Sequence, residues 1–323
     1  MHKTINHLLL TTASTLLLSV GLNAQNTQSM RVINLHDNWK FHQIGQEYWM
    51  PATVPGTVHT DLMANKKIED PYYRTNERDV QWVDKTDWEY SLDFDVDAGM
   101  LAFQSAALEF LGLDTYADVY LNDSLIIQAD NFFIAWEKEV KSMLRPGKNN
   151  LRILFHSPTR IGLDKLAAHG FPLPASNDQS ANGGLGDQAV SIFLRKPGYH
   201  FGWDWGPRLV SIGIWRPVQL RFWNQARLTD VFFRQDSLSD ARADLTAVCE
   251  TEIHTAGDYT LEIRQGDLVL ERLSLPLEVG KHSLNASFHI DQPQRWWTRE
   301  LGTPFRYALS AHLLQSDIPL DRV

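Results

Sequence analysis

The side chains best suited to chemistry in this 323-residue sequence crowd into Tyr199-His200-Phe201-Gly202-Trp203-Asp204-Trp205-Gly206-Pro207. A carboxylate between two indoles suits a polyhydroxylated ligand. The flat ring faces stack on sugar C–H groups, and the charged oxygens accept two hydroxyl hydrogen bonds. Gly202 and Gly206 allow close backbone approach, and Pro207 stiffens the exit. Two readings of the segment stand open. In one, Asp204, Trp205 and Trp203 contact a ligand. In the other, strand alternation turns Asp204 away from a pair of core indoles and toward an arginine such as Arg208.

Other chemistries find little support. There is no G-x-x-x-x-G-K-[ST], no H-E-x-x-H and no G-x-S-x-G, and the twelve histidines are scattered at spacings that suggest no metal. No cofactor is expected. Glu89, Asp93 and Asp95 alternate with apolar residues and are expected on the solvent face of a strand. A second aromatic and polar cluster runs from Trp49 to Leu62 and from Asp70 to Trp82. It reads as a turn, a short helix capped by Thr57 and a loop covering one end of a sandwich.

The elements that must position these residues are strands. Trp88, Tyr90, Leu92, Phe94 and Val96 alternate with polar residues, as do Leu151, Ile153 and Phe155, and Val218, Leu220 and Phe222. Ala117, Val119 and Leu121 run into the turn Asn122–Asp123. Helical periodicity is brief, near Thr57 to Ile68 and Ile161 to Ala168. Residues 157–200, rich in Pro and Gly, form a long irregular stretch leading into the tryptophan segment; such a loop in a compact domain points to function or disorder. From Thr229 the strands become more regular, with Ala243 to Cys249, Tyr259 to Ile263, Leu268 to Leu270 and Tyr307 to Leu313. The fold class expected is all-β: one sandwich over 25–223 and an immunoglobulin-like sandwich over 224–323.

Composition narrows the function. Thirty basic against 39 acidic residues give a net charge of −9, which argues against a nucleic-acid surface or an anionic membrane surface. Apolar residues at 43% support a packed core, and 21% charged residues do not suit disorder. The single cysteine, Cys249, excludes an intrachain disulfide framework. Eleven Trp are a surplus that often lines binding surfaces. Residues 1–24 read as a signal peptide: Lys3, the leucine clusters Leu8–Leu10 and Leu16–Leu18, then Asn23–Ala24 before Gln25. Export to a bacterial periplasm, or secretion, is expected, with no membrane anchor.

Several motifs together resemble family 2 glycoside hydrolases. They are Val54-Pro55-Gly56-Thr57-Val58-His59-Thr60-Asp61-Leu62, Asp70-Pro71-Tyr72-Tyr73, Asn76-Glu77, Asp87-Trp88-Glu89-Tyr90 and the run Gly112–Asn122. Gly213-Ile214-Trp215-Arg216-Pro217-Val218 resembles the family at large, and Arg195–Arg208, with its Trp-Asp-Trp-Gly-Pro passage, resembles the β-mannosidases within it. Arg295–Thr298 and Gly302–Phe305 resemble its second-domain signature. The resemblance implies a jelly-roll (galactose-binding-like) domain, an immunoglobulin-like sandwich and then a TIM barrel holding two catalytic glutamates. A barrel alone takes about 250 residues. The chain is therefore expected to supply scaffold and a sugar-contacting loop, to contain no catalytic residue and to be inactive alone. The substrate implied is a terminal β-mannoside of manno-oligosaccharides, with Asp204 accepting from mannose hydroxyls and Trp205 walling the pocket. Surfaces meant for the barrel, in the 195–208 loop and at Trp296 or Trp297, are expected to be exposed. The alternative is a stand-alone, non-catalytic carbohydrate-binding module.

Overall fold

A computed structural model describes residues 30–323; the signal peptide expected over residues 1–24 lies outside the described residues. Two antiparallel sheets form the first sandwich. One has the order Met30–Asn34, Val218–Trp223, Ser105–Phe110, Trp136–Glu139. The other has the order Met50–Pro51, Lys40–Gln43, Trp88–Val96, Gly147–Phe155, Ala117–Leu121, Ser124–Ala129. Alternation explains the layering, since the inward residues of Trp88–Val96 and Gly147–Phe155 meet those of Val218–Trp223 in one continuous core. Asn122 and Asp123, with φ of 49° and 68°, make the tight turn that the sequence marks between paired strands.

The tryptophan surplus divides. Trp39, Trp88 and Trp223 are sealed in the interior, where Trp39 Nε1 donates to the Leu35 carbonyl at 2.8 Å and Trp88 Nε1 to that of Val83 at 3.0 Å. Trp205, Trp296 and Trp297 are exposed. The surplus is therefore partly core and only partly surface.

Local expectations are corrected in four places. The helix after Thr57 is Val58–Ala64, shorter than its periodicity, and is closed by a capping box between Thr57 and Thr60. The helix expected near Ile161 to Ala168 is longer, Pro158–His169, started by Ser157 and Pro158, and takes up the beginning of the stretch read as irregular. Glu89 is not solvated but half buried, reached by Arg152 at 3.1 Å. The late strand begins at Leu309, not Tyr307.

The second sandwich pairs a three-stranded sheet, Ala226–Leu238, Arg242–Ile253 and Gly280–Asp291, with a four-stranded one. The latter has the order Leu268–Leu277, Gly257–Gln265, Leu309–Gln315, Ile318–Arg322. Its core is separate from the first, built from residues between Ala226 and Leu320. The architecture is all-β, a jelly roll followed by an immunoglobulin-like sandwich. Arg227 ties the two together: its guanidinium bonds Glu137 at 2.7 and 2.9 Å and Glu252 at 2.8 Å, and lies over the Trp223 ring.

Candidate functional site: the Trp203–Gly206 hairpin

After the single turn Gly198–Phe201 the chain makes a small hairpin. Trp203 N–H donates to the Gly206 carbonyl at 3.1 Å and Gly206 N–H returns to the Trp203 carbonyl at 3.3 Å. Asp204 and Trp205 are thus the two tip residues, and strand alternation does not govern them. Trp205 is 85% exposed, Trp203 half buried and Asp204 exposed. The two indoles lie 6.4 Å apart at 57°. Among the described residues Asp204 has no hydrogen-bond or ion-pair partner.

The alternative pairing with Arg208 is ruled out by Arg208 itself. It is buried and bonds Asp84 at 2.9 Å, Gln81 Oε1 at 2.7 Å and Thr159 at 3.3 Å. Asp84 also accepts from the Thr159 hydroxyl. Gly183 is required here, because a Cβ at that position would stand 2.6 Å from Arg208 Cζ. A buried guanidinium needs several acceptors, and this one finds them in the loop before Trp88 and at the start of the Pro158–His169 helix.

A second buried charge sits under the same loop. Lys196 pairs with Asp114 and donates to the Ser211 carbonyl at 2.7 Å, while Ser211 Oγ donates to Asp114 Oδ2 at 2.6 Å. Thr115 Oγ1 donates to Asp114 Oδ1 at 2.6 Å. Burial pulls the Lys196 ammonium down, and Asp114 resists that pull. His200 Nδ1 lies 3.2 Å from Ser211 Oγ, and its ring meets Phe132 and Tyr199 edge-on. Burial, aided by Lys196, lowers His200 to about 4, so the ring is neutral at pH 7. His59, buried on the capped helix, is likewise lowered to about 4, chiefly by burial. Beside it Asp61 accepts from Thr53 N–H at 2.8 Å and Tyr90 OH at 2.7 Å, and burial raises its carboxyl to about 6.

The chain on either side of the hairpin is held by a small apolar cluster of Tyr116, Leu166, Val190, Leu194, Phe201 and Val210, and by the buried ion pairs of Lys196 and Arg208. The three residues expected at the site share this one hairpin, Asp204 and Trp205 at its tip and Trp203 at its base. Sequence reasoning missed Lys196, Asp114, Asp84 and Gln81. Lys196 and Asp114 do lie inside two of the motifs, but 82 positions apart, where spacing carries no signal. Among the described residues, no cluster of three or more His, Cys, Asp or Glu could hold a metal.

Comparison with known proteins agrees with this architecture. The family model for the glycosyl hydrolase 2 galactose-binding domain-like fold matches residues 39–216, and that for glycosyl hydrolases family 2 matches residues 226–323. Beta-mannosidase B of Aspergillus oryzae is 33% identical over 303 residues, covering 90% of this chain and 34% of that protein. Beta-mannosidase B of Thermothelomyces thermophilus is 34% identical over 300 residues, with 90% and 33% covered. The crystal structure of a β-D-mannosidase from Dictyoglomus thermophilum superposes with a TM-score of 0.79 at 36% identity, over 90% of this chain and 35% of that one. An exo-chitosanase of Amycolatopsis orientalis shares the fold, with a TM-score of 0.68 at 19% identity over 91% of this chain and 33% of that one. The chain spans about a third of the length of the curated relatives it matches. With the galactose-binding-like model matched over more than half of its residues and the second sandwich matched as well, this chain belongs to glycosyl hydrolase family 2.

Proposed function

We propose that this chain is the amino-terminal part of an exo-acting, retaining β-mannosidase, and that its Trp203–Gly206 hairpin helps bind the terminal β-mannose. The relatives named as β-mannosidases support the substrate class. The observation that carries the site is the Asp204 carboxylate, exposed and unpartnered among the described residues at the tip of a braced hairpin, with an indole on each side. Two free carboxylate oxygens match two adjacent hydroxyls. Trp205, and to a lesser degree Trp203, supply ring faces for the sugar's C–H groups. Bond cleavage is assigned to no residue of this chain. In a retaining glycosidase it needs two carboxyls about 5–5.5 Å apart, which the reading places on a carboxyl-terminal TIM barrel.

The test is Asp204→Ala in the protein as its gene encodes it, assayed on an aryl β-mannoside. Loss of two charge-assisted hydrogen bonds should lower kcat/KM by about 10²–10³-fold; an unchanged value removes Asp204 from the site. The 323-residue chain by itself should show no turnover, and turnover abolished by Asp204→Ala would overturn that expectation. We further propose export with Gln25 as the first mature residue and a domain boundary at 223/224. Amino-terminal sequencing of the periplasmic protein and limited proteolysis check these two points.

A further inference from the structure

Three consecutive side chains each staple a different part of the loop beneath the hairpin. Asp178 Oδ2 accepts from the backbone N–H groups of Val190 and Ser191, both at 2.9 Å. Ser180 Oγ donates to the Gly186 carbonyl at 2.9 Å. Between them, Gln179 holds the segment that becomes the hairpin. Its backbone N–H donates to the Phe201 carbonyl at 2.8 Å and its Nε2 to the Trp203 carbonyl at 2.6 Å. The chemistry fixes which way this amide faces. A carbonyl can only accept, so Nε2 turns toward Trp203 and Oε1 is left to accept from Asn182 Nδ2 at 2.9 Å. Gly202 makes the approach possible: its φ is 105°, and a Cβ there would lie 2.6 Å from both Cγ and Cδ of Gln179.

Among the described residues, Trp203–Gly206 makes no other hydrogen bond to the rest of the chain. Its two cross-bonds, 3.1 and 3.3 Å long, close a two-residue tip that is open to water. A ladder of that size is marginal by itself. The hydrogen bond from the Gln179 amide to the Trp203 carbonyl ties the hairpin itself to the packed loop.

We propose that Gln179 is a positioning residue: its side-chain amide fixes the Trp203 backbone, and so where Asp204 and Trp205 stand, without itself meeting ligand. The consequence for sugar binding rests on the reading of Asp204 given above; the consequence for hairpin geometry does not.

Two variants test this in the whole chain labelled with 5-fluorotryptophan. Gln179→Met keeps length and packing but removes the amide, and Gln179→Glu keeps the shape but sets a carboxylate against the carbonyl. The ¹⁹F resonances of Trp203 and Trp205 should shift or broaden in both, while those of the core residues Trp39 and Trp88 hold still. Resonances of Trp203 and Trp205 that stay in place overturn the proposal. So do core resonances that move with them, which would mark a loop-wide structural role. In the protein as its gene encodes it, Gln179→Met should lower kcat/KM for an aryl β-mannoside by about tenfold to a hundredfold. Combined with Asp204→Ala it should cost less than the sum of the two single losses, since much of the anchor's effect passes through that carboxylate; full additivity also overturns it. If Asp204→Ala changes nothing, the sugar reading fails, and the tryptophan resonances still decide the role of Gln179.

Discussion

Lys196 and Asp114 are sealed together beneath the loop of the first sandwich, whereas Arg242 and Asp244 form an ion pair half open to water on the second. Arg208–Asp84 repeats the first arrangement and Arg234–Asp236 the second. The second sandwich has exceptions in Glu262, buried but met by Arg264 and Arg272 from the solvent side, and in Arg227 and Asp321 where it joins the first. The difference follows from how each region satisfies its backbone. In the immunoglobulin-like sandwich an unbroken ladder from Arg242 opposite Asp291 to Ile253 opposite Gly280 does that work, and charges can stay outside. The stretch between His169 and Gly198 has no such ladder, so side chains must hold it, and some of them are ions taken out of water. Buried ions are a poor source of net stability but a strict one of geometry, because each demands a particular partner in a particular place.

The largest effect expected from this contrast is on stability. Lys196→Met leaves Asp114 charged and buried with only hydroxyl partners, and should cost about 3–5 kcal/mol in urea unfolding. Adding Asp114→Asn removes the stranded charge and should restore much of that loss. Arg234→Met on the second sandwich should stay within about 0.5 kcal/mol. Equal losses at Lys196 and Arg234 would erase the distinction between the two regions.

The next effect is on pH. Unfolded, His59 and His200 take a proton near pH 6.5; folded, they resist until about 4. Their stabilising effect is complete above pH 6.5 and is lost as pH falls toward 4, by about 3 kcal/mol for the buried His59. Asp61 runs the other way. Its folded value of about 6 lies above the ordinary 3.8, so its contribution is complete below 3.8 and is lost as pH rises through 6. Between pH 4 and 6 the two trends partly cancel. Asp61→Asn keeps the size and the acceptor for Thr53 N–H but removes the charge. It should be more stable than the natural protein by about 1–3 kcal/mol at pH 7 and indistinguishable at pH 3.5. A flat difference between these two pH values, followed by thermal melting, would show that folding does not raise the Asp61 carboxyl above its ordinary value.

The sheets were legible because alternation is a local signal: Trp88–Val96, Gly147–Phe155 and Arg242–Ile253 each announce one wet and one dry face. The tip of the site was legible for a similar reason, since Trp203, Asp204 and Trp205 are neighbours in sequence. What the sequence hid were pairings at long range. Nothing near Arg208 points to Asp84, 124 positions away, and the nearby Asp204 was the more obvious partner. Gln179 has no chemical signature until the backbone folds back to present the Trp203 carbonyl. Local pattern carries elements, while charge pairing under a loop depends on which elements the fold brings together.

The smallest stability effect among these substitutions belongs to the residue proposed to matter most for ligand. Asp204 has no partner to lose among the described residues, and it stands in water at the hairpin tip, so Asp204→Ala should change the unfolding free energy by less than about 0.5 kcal/mol. Trp205→Ala removes an indole that is 85% exposed and should be almost as mild. Each is conspicuous against its immediate surroundings, where Lys196 and Arg208 are expected to be severe. A carboxylate and an indole at a tip where they bring no benefit to folding fit the proposal that they meet a ligand. Should Asp204→Ala destabilise the protein by as much as Lys196→Met, measured in the same urea series, the side chain has a folding role inside the loop, and the contrast between a supporting base and a ligand-facing tip collapses.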